Sequence, residues 1–96
     1  MKTKFNSMSD DKKATVMERL KTLNSTDRML LLNKYSRQTE NIYCMFRADQ
    51  KIDIVTKIFT LKFNNDALVD TYVNGDPIVD QLGCRLSDFL DNEFLH

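Results

Sequence analysis

Polar and apolar positions along this chain repeat mainly at helical spacing. Val16, Leu20 and Leu23 recur at i, i+4 and i+7, with Met17 beside them, so they line one face of a helix. Ser9 stands ahead of Asp10 and Asp11. A hydroxyl there can accept from an open backbone N–H, and two carboxylates suit the positive end of the helix dipole. Asn24-Ser25 closes that helix, and Ser25 or Thr26 is expected to cap the next. The second segment carries Met29, Leu30, Leu31, Leu32 and Tyr35. They cover more than one face, which predicts a central helix. Thr39 followed by Glu40 reads as a further cap, ahead of Ile42, Tyr43, Met45 and Phe46.

Residues 51–63 admit two readings. As a helix they place Ile52, Val55, Phe59 and Phe63 on one stripe, with Asp53 and Lys57 as a favourable i, i+4 pair. As strands they offer the β-branched and aromatic residues that a pleated surface favours. The partner strand would be 68–73, joined through a turn at Asn64-Asn65-Asp66. Helix is preferred, because a lone hairpin would lack a third strand to support it. Beyond it, Asn65 is expected to cap a helix over 67–73, ended by Asn74-Gly75. Asp76-Pro77 restarts the chain with a cap and a proline at the first helical position. Ile78, Val79 and Leu82 follow, with a stop at Gly83. Ser87 with Asp88 is expected to cap a last helix over 89–95. The pattern predicts an all-α fold, a small irregular bundle of five or six short helices. The alternative is α+β with one hairpin near 51–73.

Composition narrows this further. A chain of 96 residues has room for one core, so 1–96 is expected to be a single helical domain. Two glycines and one proline are too few for the many tight turns of a β-sandwich. No apolar run reaches the length of a membrane span, and residues 1–7 lack the apolar centre of a secretory signal. Cys44 and Cys84 match no metal spacing. Two reduced thiols, no metal and a cytoplasmic protein are expected.

Charge adds an asymmetry. The 14 basic and 14 acidic side chains cancel, which argues against bulk attraction to DNA. Residues 1–63 nevertheless hold 13 of the basic groups and 7 of the acidic ones. Residues 64–96 hold the other 7 acids and a single base, Arg85. The basic part and the acidic part either neutralise one another on folding or leave an acidic surface for a basic partner.

Catalysis finds little to work with. The one histidine, His96, is the last residue, and the glycines form no phosphate loop. Asp66 with Asp70 and Asp76 with Asp80 are four apart, a spacing more often solubilising than metal-binding. No enzyme and no cofactor are expected. Nucleic-acid binding would draw on Lys2, Lys4, Lys12, Lys13, Arg19, Lys21, Arg28, Lys34, Arg37 and Arg47. The short connection at Asn24 suits a helix-turn-helix, but the reading helix would begin with apolar Met29, Leu30, Leu31 and Leu32. Asp10, Asp11, Glu18 and Asp27 dilute the positive field.

The C-terminal segment is the most suggestive. Leu86, Phe89, Leu90 and Phe94 make an i, i+3, i+4, i+8 stripe, flanked by Asp88, Asp91 and Glu93. Such a stripe either closes the protein's own core or docks in a partner's hydrophobic groove with a basic rim. These seven residues are the expected contact set. The expected function is a small non-enzymatic regulator that binds another protein. Richness in Lys, Asn, Asp, Ile and Thr is compatible with an AT-rich genome, as many phages and viruses have. That extends the expectation to a viral factor that modulates or inhibits a host protein in the host cytoplasm. The alternative is a helical DNA-binding transcriptional regulator.

Overall fold

Three helix starts in this chain are set by short polar side chains, at two places one residue ahead of where the pattern put them. The computed structural model describes residues 10–95, and these form six helices with no strand. They are α1 (Asp10–Thr22), α2 (Ser25–Tyr43), α3 (Ala48–Leu61), α4 (Asn65–Asn74), α5 (Pro77–Asp80) and α6 (Leu86–Phe94). The expected cap at Ser9 lies outside the described residues.

Asn24, rather than Ser25 or Thr26, caps α2. Its side-chain oxygen accepts from the Asp27 N–H at 2.8 Å, and its amide donates to the Asp27 carboxylate at 3.1 Å. Asn64, rather than Asn65, caps α4 by accepting from the N–H groups of Asp66 and Ala67. Asn65 is thereby released for a longer-range task. Its amide donates to the carbonyls of Lys21 and Leu23, where α1 ends. Its oxygen accepts from the Arg28 guanidinium, whose Nε donates to the Lys62 carbonyl at 2.9 Å. One buried arginine and one asparagine therefore tie the end of α1, the start of α2 and the α3–α4 turn together. They also satisfy carbonyls that helix ends leave open.

Two expected caps are not caps. Thr39 lies inside the 19-residue α2, buried, with its hydroxyl donating to the carbonyls of Tyr35 and Ser36. A threonine satisfied by its own helix need not break it, so α2 runs on through Ile42 and Tyr43. Met45 and Phe46 fall in the turn that follows. Ser87 lies within α6, which starts at Leu86 with Arg85 at the cap position and no side-chain hydrogen bond there. Asp76 caps α5 as expected, accepting from the Ile78 N–H at 2.9 Å. Gly75 ends α4 at φ 77°. Gly83 ends the α5 turn at φ 80°, where a Cβ would overlap the Ile42 Cδ1 methyl.

Residues 51–61 are helical and 62–63 form the turn that follows, so the hairpin is excluded. The inward face of α3 is not the expected stripe, however. Ile54, Ile58 and Leu61 are buried, while Ile52, Val55, Phe59 and Phe63 retain 66, 51, 60 and 59% of their surface. Lys57, expected to pair with Asp53, instead reaches Asp76 at 2.8 Å and fastens α3 to α5.

Every helix contributes to the core. Val16 and Leu20 of α1 join Leu32 and Tyr35 of α2, Leu68 and Tyr72 of α4, Val79 of α5, and Leu86, Phe89 and Leu90 of α6. The Tyr35 ring lies 5.3 Å from the Phe89 ring, tilted by 57°. Its hydroxyl donates to the carbonyls of Cys84 and Val79, so α2 is hydrogen-bonded to the segment between α5 and α6. Burial pushes the Tyr35 phenol well above its ordinary range, and nearby Cys84 and Asp80 add to it. It stays a neutral donor.

Candidate binding surface

The C-terminal stripe faces inward. Leu86, Phe89, Leu90 and Asp91 are buried, and Asp88 is half-buried. Phe94 is half-buried against the core, with the Arg19 guanidinium 5.8 Å above its ring. The acids beside the stripe have internal uses. Asp91 accepts from the Tyr72 hydroxyl at 2.8 Å, which joins α6 to α4. Glu93 pairs with Lys34 of α2 at 2.6 Å. Of the expected docking set of Leu86, Asp88, Phe89, Leu90, Asp91, Glu93 and Phe94, four members are therefore buried in the chain alone, and Asp88, Glu93 and Phe94 stay partly exposed. Its apolar members close the core, and two of its carboxylates are held by groups of the same chain.

Part of the charge asymmetry is also settled internally. Lys34–Glu93 and Lys57–Asp76 each join a base from the first 63 residues to an acid from the last third. Burial alone would raise the Asp76 pKa. The Lys57 ammonium and the Ile78 N–H outweigh it and hold the carboxyl below its usual value. Asp80 is shifted the other way. Burial raises its pKa, Arg85 opposes, and neighbouring Asp76 and Asp88 add to the rise. Cys44 and Cys84 are free thiols, and burial with the nearby Asp88 raises the Cys84 pKa.

Most of the apolar surface left open belongs to α2, α3 and the turns that follow them, with Met45 exposed in the first turn, Phe63 in the second and Val73 on α4. Helices α2 and α3 run antiparallel. Arg28, early in α2, reaches the Lys62 carbonyl, and Tyr43, at its end, donates to the Lys51 carbonyl at 3.4 Å. Between them lies a trough. One part, of about 310 Å³, is bounded by Ser36, Thr39 and Tyr43 of α2 and by Val55 and Ile58 of α3, with Leu82 also lining it. A second part, of about 240 Å³, shares Ser36, Val55 and Ile58 and adds Phe59 and Lys62. The shared residues make the two parts one groove. Exposed Ile52 lies further along α3, and in the turn after α3 the Phe63 ring packs 4.9 Å from the Phe59 ring. On α2, Met29, Ser36 and Tyr43 recur at seven-residue intervals on the flank that faces α3. Met29 is partly exposed there.

Charged groups edge this groove. Arg37 and Glu40 line one part and Lys62 the other. The Lys51 ammonium sits 5.8 Å over the Tyr43 ring at the far end. Elsewhere, bases expected to serve nucleic-acid binding have other contacts. Arg28 is buried, Lys34 is paired with Glu93, Arg47 is paired with Asp49, and Arg19 lies over Phe94. Lys2 and Lys4 lie outside the described residues.

Sequence reasoning missed this surface because α3 is apolar on two faces. Ile54, Ile58 and Leu61 were as readable at i, i+4, i+7 as the stripe that ends outside. A helix apolar nearly all round is either central or covered by something else, and that was the available signal. No helix is long and apolar enough to cross a membrane among the described residues. Comparison with protein-family models, with curated proteins and with solved structures finds no match.

Proposed function

We propose that this chain is a small non-enzymatic regulator that works by binding another protein, and that the α2–α3 groove with the outer stripe of α3 is its contact surface. The observation that carries the reading is the continuity of that stripe. Ile52, Val55, Phe59 and Phe63 are each more than half exposed and adjoin a trough floored by apolar side chains. Scattered apolar residues are normal on a surface, but a contiguous patch with a charged rim is the usual composition of an interaction site. Phe59 and Phe63 are the natural anchors, being large and rigid.

The test replaces Val55 and Phe59 together with Ser. Both side chains are exposed, so the melting temperature should stay close to that of the wild type. Proteins captured by the wild-type chain from its native host, and lost with the double variant, support the reading. Capture that is indifferent to the double substitution removes it.

A further inference from the structure

We infer that the occupant of the α2–α3 groove is an acidic amphipathic helix of another protein, rather than a second copy of this chain; the inference rests on the groove being the contact surface. Shape argues for a helix. The trough is elongated and lies between two antiparallel helices, the arrangement that a third helix completes in a bundle. The small Ser36 on one wall, opposite Val55 and Phe59, leaves room for a side chain from above. Strand addition needs an open sheet edge, and α2 and α3 offer none.

Charge argues for acids on that helix. Arg37, Lys51 and Lys62 border the trough, against Glu40 as the acid lining it. Among the described residues neither Arg37 nor Lys62 has an ion-pair partner. Asp53 does not offset them. It stands nine residues from Lys62, half a turn away on the opposite flank of α3. Asp49 is paired with Arg47 at 3.5 Å. The same charges argue against a second copy. A twofold contact sets a surface against itself, so it would bring one basic rim onto another. The exposed acids Asp66 and Asp70 belong to α4, where Val73 is the one large apolar side chain exposed.

The fitting partner therefore presents large apolar side chains at i, i+3 or i+4, and i+7, with Asp or Glu on the flanks facing Arg37 and Lys62. The test is a displayed library of helical peptides. The apolar spacing is fixed, and the flanks vary among Asp, Glu, Lys, Arg and Ser. The full chain, immobilised, is the bait. Expected are clones at least about tenfold richer in Asp and Glu than in Lys and Arg at the flanks, a preference that weakens as salt shortens the screening length. The same clones should fail to bind Phe59→Ser. With Arg37→Glu and Lys62→Glu combined, selected flanks should turn basic. Clones that need Phe59 but show no acidic preference overturn the charge class and leave the contact surface standing. An absence of any clone that needs Phe59 overturns both. Sedimentation showing a dimer that Phe59→Ser dissociates overturns the inference in favour of a second copy.

Discussion

Helices α6 and α3 both carry aromatic and aliphatic residues at helical spacing with acids nearby, yet one stripe is buried and the other faces out. In α6, Phe89 meets Tyr35, and the flanking acids meet Tyr72 and Lys34. Two of those acids thus have partners in the same chain, which offsets part of the cost of burying them, while Asp88 keeps a buried oxygen without a hydrogen bond. In α3 the inward face is purely aliphatic, made of Ile54, Ile58 and Leu61. The larger aromatic side chains, Phe59 and Phe63, stay outside. Size and hydrophobicity alone therefore do not decide which face of a helix a small core takes. The volume left by the other helices decides, and here it accepts three branched aliphatic side chains.

The largest expected effect tests the α6 half of the contrast. Phe89→Ala should cost about 3–5 kcal/mol of unfolding free energy, the usual loss for a buried aromatic. Denaturant melts followed by circular dichroism measure it. A variant as stable as the wild type would show that α6 is not part of the core. Next comes the polar link that lets α6 carry an acid inward. Tyr72→Phe removes the hydroxyl that donates to Asp91 and should cost about 1–3 kcal/mol, because a buried carboxylate loses a donor. The Tyr72 phenol itself is held well above its ordinary range by burial and by Asp91, so it stays a donor to high pH.

A smaller effect concerns what fastens the inner face of α3. Asp76, paired with Lys57, has a folded pKa below the ordinary value. Its contribution is therefore present above the ordinary carboxylate range and disappears as pH falls through the lowered value. Asp76→Asn keeps a capping oxygen and should be less stable than the wild type near neutrality, with the gap closing in acid. Asp80 has the opposite sign. Its raised pKa gives a contribution that is complete below the ordinary value and is lost as pH rises through the raised one. Asp80→Asn should therefore gain on the wild type near neutrality. Melts of both variants across pH 3–8, about the carboxylate range and the neutral region above it, read both slopes. Parallel curves for the two variants would contradict the pairing. The smallest stability effect tests the α3 half. Phe59→Ser should change unfolding free energy by no more than about 0.5 kcal/mol, as exposed positions do. A loss like that of Phe89→Ala would place Phe59 in the core and erase the contrast.

How much of this was legible in the residues follows the range of the forces involved. Local chemistry was readable. Asp76-Pro77 and Gly75 mark a helix restart and a helix end, and both stand where expected. The preference for helix over hairpin at 51–63 also rested on a sound count of available strands. Thr39 misled because a hydroxyl can serve either as a cap or as a donor to its own helix, and only burial among neighbours distinguishes the two. Asn65 misled for a related reason. Adjacent Asn64 and Asn65 can both cap, and the choice depends on Lys21 and Leu23, more than forty residues away. The α3 face and the α6 face were each written as apolar stripes, and no local rule ranks one above the other. The groove was invisible for the same cause, since Ser36 and Val55 meet only after α2 and α3 fold back on each other.

The open wall of α3 has a consequence for how long the chain survives in a cell. A ligand that binds only the folded form raises its unfolding free energy by RT ln(1 + [L]/Kd), about 2.7 kcal/mol at a hundredfold excess over Kd. Surveillance by chaperones and proteases acts on the unfolded fraction, so a shift of that size changes abundance several-fold. On the proposed function, a chain that leaves Ile52, Val55, Phe59 and Phe63 in water when alone would be tied to the supply of the partner that covers them. Copies in excess of that partner would be the first to be cleared, so the total level of the chain would follow the level of the partner.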